Sequence, residues 1–276
     1  PMNTVVAKTH PREYRLHKYW SRKPHNVVRH FVGELIDEPG VVVDPFCGSG
    51  VAVREASKLG HRAYGFDVNP VAVNLSRVTT DPPPLRAFCD AVRPVVDGAF
   101  AELCREAYAA SEGDEFIRYV VHETVVECAC GARVDYSSCE RDGRRYLCRA
   151  CGESVRLNLK GLVDTRVHGL AVPGAPDLVT VDERCARQAA YSARSFCDDT
   201  SEFDYPFVEN RRILAHDQMR TSSLFTRRNF TLLCRLARQF HALDEPAVRR
   251  AALCLLTASV AQCSRLIPYR SNMSTG

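Results

Sequence analysis

A β-branched run that empties into a glycine turn, two close cysteine pairs and two C-terminal stretches of helical periodicity together predict an α/β protein. The expected architecture is a partial Rossmann-like sheet with a zinc-ribbon insertion and C-terminal helices. Val41-Val42-Val43-Asp44 follows Pro39-Gly40 and leads into the small-residue loop Pro45 to Gly50, which reads as a buried strand feeding a tight turn. Val51, Ala52, Glu55, Ala56 and Leu59 then fall at helical spacing, and Gly60 ends that helix. Arg62 to Asp67 is a second short strand, and Asn69-Pro70 starts a helix running to about Thr79. This β-α-β-α order is the opening of a doubly wound sheet.

Asp81-Pro82-Pro83-Pro84 breaks the pattern, and Leu85 to Ala110 reads as helix. Cysteines and glycines dominate Cys128 to Gly152, a separate module of short strands. Pro173 to Pro206 has no clear periodicity. Two helices follow, Thr226 to Leu243 and Pro246 to about Ile267. The expected division is a first segment with the glycine turn (1–84), a connecting helix (85–122), the cysteine module (123–160) and a mixed, helical remainder (161–276).

Composition narrows the function classes. With 276 residues, 45% hydrophobic and 25% charged, and 15 each of Gly and Pro, the chain is a folded protein and neither disordered nor collagenous. The charge-free run Ala251 to Ser264 is too short and too polar for a membrane span, and residues 1–22 lack the apolar core of a signal peptide, so no membrane partner and a cytoplasmic location are expected. Net charge is only +4, but Lys8 to Arg29 and Arg211 to Arg238 concentrate the basic residues, as phosphate-facing or merely solvated surfaces would. The 13 cysteines are expected to be reduced thiols.

The glycine turn has three candidate ligands. A triphosphate-binding loop needs Gly-Lys-Ser/Thr, but Val51 follows Gly50. A dinucleotide turn wants a third glycine where Val53 stands, and Asp44 would repel its diphosphate. S-adenosylmethionine carries a sulfonium and an ammonium and no phosphate, so an acidic residue at this corner favours it. Asp67, ending the second strand, is placed to accept from ribose hydroxyls.

The string Asp44-Pro45-Phe46-Cys47-Gly48-Ser49-Gly50, followed by Gly65-Phe66-Asp67-Val68-Asn69-Pro70, resembles the cofactor motifs of the amino-group DNA methyltransferases, which methylate adenine N6 or cytosine N4. Upstream, His17-Lys18-Tyr19-Trp20-Ser21-Arg22-Lys23-Pro24-His25 is similar to the segment that packs over the methionine end of the cofactor in that family. The resemblance covers residues 15–80. It implies S-adenosylmethionine as cofactor and DNA as partner. It also implies that Asp44, Phe46, Gly48 and Gly50 contact the methionine moiety and Asp67 the ribose, with Tyr19, Lys23, Pro24, Pro45, Ser49, Val68 and Asn69 completing the site. Phe46 as a plain core aromatic, and Cys47 as buried filler, remain open readings.

Cys128-x-Cys130 and Cys148-x-x-Cys151, each followed by glycine, supply four thiolates at the spacing of a zinc ribbon, so Cys128, Cys130, Cys148 and Cys151 are expected to hold zinc. Cys139 lies between the pairs and reads as a buried thiol. Arg133, Arg141, Arg144, Arg145 and Arg149 surround the module, which could serve target recognition or be purely structural.

The resembled family holds its flipped base with Asp/Asn/Ser-Pro-Pro-aromatic. The Pro-Pro here, in Thr80 to Pro84, lacks the aromatic and reads as a linker, so catalytic residues are unassigned. Leu224 to Phe230 and Tyr269-Arg270-Ser271-Asn272 resemble the helical region leading toward the catalytic strand. The expectation is therefore a site-specific DNA methyltransferase of a bacterial modification or defence system. Its catalytic part would be supplied by the remainder of a longer chain or by a second subunit. A non-catalytic zinc-ribbon module that binds DNA or protein on a methyltransferase-like scaffold is the alternative; a methyltransferase acting on RNA or protein is a third reading.

Overall fold

Pro24 starts helix α1 (His25–Leu35), which packs on α2 (Val51–Lys58). Between them runs β1 (Val41–Asp44), and after α2 comes β2 (Arg62–Gly65), parallel to β1 in the register Val41↔Arg62 to Asp44↔Gly65. A parallel pair needs a crossover, and α2 supplies it. In this computed structural model the described residues are 4–102, 108, 119–157, 162–171, 179–180, 196, 198–207 and 219–265. The chain divides into two compact units, Pro1–Asp97 with Arg235–Gln262, and Gly98–Cys234 with Cys263–Gly276.

In the first unit, Asn69 caps α3 (Pro70–Thr80) by accepting from the Val71 amide, with Pro70 in the first turn where its missing N–H costs nothing. One face of α3 is buried: Ala72, Leu75, Ser76, Val78 and Thr79. Leu75 and Val78 pack with Ala251 and Cys254, against which Tyr19 and Phe88 lie. Burying each large apolar side chain contributes roughly 1.5–3 kcal/mol. Asp81 to Pro84 joins α3 directly to α4 (Leu85–Glu102), as the linker reading expects. Ala251 and Cys254 belong to a C-terminal helix, Pro246–Ser259, capped by the Glu245 carboxylate accepting from the Val248 amide.

The second unit holds two small antiparallel sheets. One has the order β4-β3-β8-β9, with β3 (Tyr119–Glu127), β4 (Arg133–Val134), β8 (Leu162–Ala171) and β9 (Val179–Thr180). The other has the order β5-β6-β7, with β5 (Cys139–Asp142), β6 (Arg145–Cys148) and β7 (Ser154–Val155). Helix α5 (Arg227–His241) begins here, and Phe225 and Phe230 stack at 5.8 Å beside its start; the Pro246–Ser259 helix is α6.

Several expectations are corrected. The long pairing of β3 with β8 was not legible: residues 85–122 read as a connecting helix, yet β3 starts at Tyr119, so the 122/123 boundary falls inside a strand. The register slips between Val121/His122 and between Val125/Val126, which breaks the period-2 alternation that marks a strand. The helix expected to reach Ile267 stops at Ser259 and continues as a single 3-10 stretch, Val260–Cys263. Helix α4 is described to Glu102; the rest of its expected span, and Tyr269 to Asn272, lie outside the described residues.

Candidate cofactor loop and metal centre

The glycine turn is built around Asp67. One of its carboxylate oxygens accepts from the Gly48 amide at 2.9 Å and the other from the Asn69 amide at 2.8 Å, so a single side chain joins the turn after β1 to the N-cap of α3. Asp44 accepts from the Phe46 amide at 3.0 Å, and the backbone is closed by Cys47 N to Phe66 O and Gly50 N to Cys47 O, both 2.8 Å. Gly48 and Gly50 both lie in the left-handed region, at φ +50° and +77°. Gly50 has no room for a side chain either: a Cβ there would sit 2.8 Å from the Cα of Ser76. The glycines are thus required by backbone conformation and by the close approach of α3.

Phe46 is 85% exposed, which removes its reading as a core aromatic. Val68 is fully exposed and Phe66 largely so. Two carboxylates and a group of apolar side chains therefore crowd the carboxyl ends of β1 and β2, where open α/β sheets bind ligands. Cys47 is buried, and burial pushes its thiol up, so it is filler and not a nucleophile.

The segment before α1 is strapped to this loop. The Arg22 guanidinium donates to Ser49 Oγ at 3.1 Å, to the His17 carbonyl at 2.8 Å and to the Tyr14 carbonyl. Tyr14 is buried, its hydroxyl donating to the buried Glu55 of α2, while Arg54 and Lys58 lie 5.5 and 5.4 Å from its ring centre. Burial, and then the Glu55 carboxylate, push the Tyr14 hydroxyl well above its ordinary range. Lys58 also donates to Glu55 at 2.9 Å. The Tyr19 ring lies where a Cβ on Gly48 would meet it at 3.1 Å.

In the second unit the four predicted cysteines converge. Their sulfurs all lie within 4.8 Å of one another, with Cys128 to Cys151 at 3.6 Å and Cys130 to Cys148 at 3.9 Å. Tetrahedral thiolates at ~2.3 Å from zinc stand roughly 3.8 Å apart, whereas a disulfide needs about 2.05 Å. Each pair sits on a similar turn. Gly131 N bonds to Cys128 O and Gly152 N to Cys148 O, at 2.8 and 2.7 Å, with both glycines at positive φ. The backbone amides of Ala150 and Cys151 draw the Cys148 thiol down to about 7, and although a backbone bond at Glu153 lowers Cys151, the sulfurs of Cys130 and Cys128 push that thiol up to about 12. Cys139 is buried opposite Cys148 across β5 and β6 and is not one of the four.

The structure thus brings Tyr19, Asp44, Phe46, Gly48, Ser49, Gly50, Asp67 and Asn69 into one corner, with Pro45 and Val68 exposed at its rim. Lys23 is exposed, and Pro24 serves as the N-cap of α1. Arg22, Tyr14, Glu55 and Ser76 were not singled out, because each acts through a partner distant in sequence. Among the described residues, no helix is long and apolar enough to cross a membrane.

Residues 4–77 match the family model described as DNA methylase, of the N6/N4 class. No curated protein and no solved structure matches the chain. The matched segment contains the whole Asp44 to Gly50 loop, Asp67 and the strap from Tyr14 to Arg22. Residues 4–77 are thus similar to the N6/N4 DNA methylases.

Proposed function

We propose that this chain is the cofactor-binding part of an S-adenosylmethionine-dependent DNA methyltransferase acting on adenine N6 or cytosine N4. In this reading zinc sits in the four-cysteine ribbon, and the Pro-Pro-aromatic motif that would hold the target base is not among these 276 residues. One observation carries the cofactor reading: two carboxylates, Asp44 and Asp67, shape the loop while no lysine or arginine stands among residues 44–50. Such a corner favours a cation over a diphosphate, the Arg22 guanidinium beside it being engaged by Ser49 Oγ and two backbone carbonyls. Asp67 spends one acceptor site of each oxygen on a backbone amide and keeps others for ribose hydroxyls, since a carboxylate offers about four. The exposed Phe46 and Val68 give the flat apolar contact that a cofactor body needs.

Bound there, S-adenosylmethionine would supply an electrophilic methyl group for direct transfer to an amino nitrogen, with no covalent enzyme intermediate. The chain's own contribution is positional. Asp67 fixes the turn, Arg22 ties Ser49 to the strap, and Tyr19 closes against Gly48. Base capture needs an acceptor and a stacking aromatic beside the methyl group. The Pro-Pro of residues 81–84 joins two helices, and Pro84 stands where the stacking aromatic would be. The sheet points the same way. Parallel strands are covered on both faces, yet Val41, Val43 and Tyr64 are exposed on a pair that has two strands among the described residues.

The zinc reading rests on the 3.6 and 3.9 Å sulfur separations and on a thin core: of the five buried residues in the ribbon cluster, two are the ligands Cys128 and Cys148. Incubation of the purified chain with S-adenosylmethionine and duplex DNA should give no methyl transfer. Restoring a segment that carries Asp/Asn/Ser-Pro-Pro-aromatic should give it. Sequence-specific methylation by the chain alone would overturn the missing-motif reading.

A further inference from the structure

We propose that the tip of the β5–β6 hairpin is a docking surface for the phosphate backbone of duplex DNA. The proposal rests on the methylase reading for its partner class. It stands on four observations in the second unit. First, β5 and β6 pair from Cys139↔Cys148 to Asp142↔Arg145, so a two-residue turn, Gly143-Arg144, closes the hairpin. Gly143 takes φ +58° while Arg144 does not, the pattern of a type II′ turn whose twist suits a tight ribbon.

Second, the tip is cationic: Arg141, Arg144, Arg145 and Arg149 are all exposed, against the single acid Asp142 between residues 141 and 149. Register spreads this charge over the whole tip. Arg141 shares a face with Tyr146, Arg145 lies on the opposite face with Asp142, and Arg144 sits at the apex. Third, among the described residues no carboxylate pairs with any of the four; the bond recorded for their guanidiniums runs from Arg141 Nε to the Gly143 carbonyl at 3.1 Å. Arg86 on α4, by contrast, lies 3.7 Å from Asp90. Fourth, the hairpin is rooted in the cysteine centre: β6 ends at Cys148, and Tyr136 stacks edge-on against Tyr146 at 4.9 Å.

An arginine-bearing hairpin tip on a three-stranded sheet matches the phosphate backbone of duplex DNA in charge. Guanidinium forks suit phosphate oxygens. Phosphate contacts set register and affinity without reading sequence, so the hairpin would position the duplex and not select the site.

The test is fluorescence anisotropy of a labelled 30-base-pair duplex with the full chain across a salt series. The triple variant Arg141→Gln/Arg144→Gln/Arg145→Gln is compared with the control Arg86→Gln/Arg93→Gln. Each lost phosphate contact should flatten the log–log salt slope by about 0.9, so the triple variant should lose about 2 to 3 of slope and on the order of tenfold or more in affinity. The control should change neither, lysine at the three positions should restore most of the slope, and metal content should be unchanged. An unaltered slope in the triple variant overturns the hairpin assignment; if S-adenosylmethionine still binds, the methylase reading stands. Wild-type chain that binds the cofactor but no duplex DNA, or that prefers duplex RNA or an acidic protein through the same arginines, also overturns the proposal. Binding of neither cofactor nor DNA removes both.

Discussion

The glycine loop and the cysteine ribbon are both short turns with glycines at positive φ, yet they are held by different physics. In the loop, three groups divide the work: the Asp67 carboxylate bridges Gly48 and Asn69, Asp44 fixes Phe46, and Arg22 ties Ser49 to the strap, all beside a helical core of Leu75, Val78, Ala251 and Cys254. The ribbon has Val126, Val134 and Cys139 as its buried apolar residues besides two of the four cysteines. Loss of one contact in the loop should therefore produce a graded effect. On the zinc reading, loss of one of the four cysteines should be close to all or none, because binding of a structural metal is folding free energy.

The largest effect follows directly. Cys148→Ser, or removal of metal by a chelator, should unfold the ribbon, since structural zinc contributes on the order of 10 kcal/mol. Elemental analysis should find about one zinc per native chain, and trypsin should cut at Arg141, Arg144 and Arg145 once it is gone. A metal-free chain with an intact ribbon would erase the contrast.

Next comes a pair of glycines. Gly50→Ala forces both a positive φ and a clash with the Ser76 backbone, and should cost about 2–4 kcal/mol in urea unfolding. Gly60→Ala, at φ +87° with nothing within 4 Å, should cost only about 1–2 kcal/mol. Equal losses would mean that close packing of α3 is not what the loop requires.

Acid separates the two regions as well. His122, on β3, is held down to about 4 by burial and by the positive charges of Arg265 and Arg228. A depressed histidine costs nothing above its ordinary value near 6.5. Between 6.5 and 4 the unfolded chain binds the extra proton, so stability falls with pH across that window, by up to about 3 kcal/mol. His122→Gln should flatten that loss, even though acid also competes for the thiolates. An unchanged profile would remove His122 as the cause. The smallest change is Arg22→Ala, expected to cost about 1–2 kcal/mol through the strap and to expose residues 12–22 to protease without releasing zinc.

The same contrast explains what was legible. Both turns could be read from sequence because their determinants are local: Asp44 to Gly50, Asn69-Pro70 and the two cysteine pairs carry their geometry in adjacent residues. The bridges could not. Tyr14 to Glu55, Arg22 to Ser49 and Gly50 against Ser76 join residues far apart, and a single sequence gives them no periodic signal. The β3–β8 pairing failed for another reason, because its two register slips scramble the alternation of Val121, His122, Val125 and Val126.

The central claim is that the Asp44–Asp67 corner takes a cationic, phosphate-free cofactor. Isothermal titration of S-adenosylmethionine into the full chain tests it most directly, with a nicotinamide dinucleotide titrated in parallel. The account predicts saturable binding of one S-adenosylmethionine per chain, lost in Asp67→Ala while the fold and zinc content persist, and no binding of the dinucleotide. Absence of heat with S-adenosylmethionine, preference for the dinucleotide, or undiminished affinity in Asp67→Ala would contradict it.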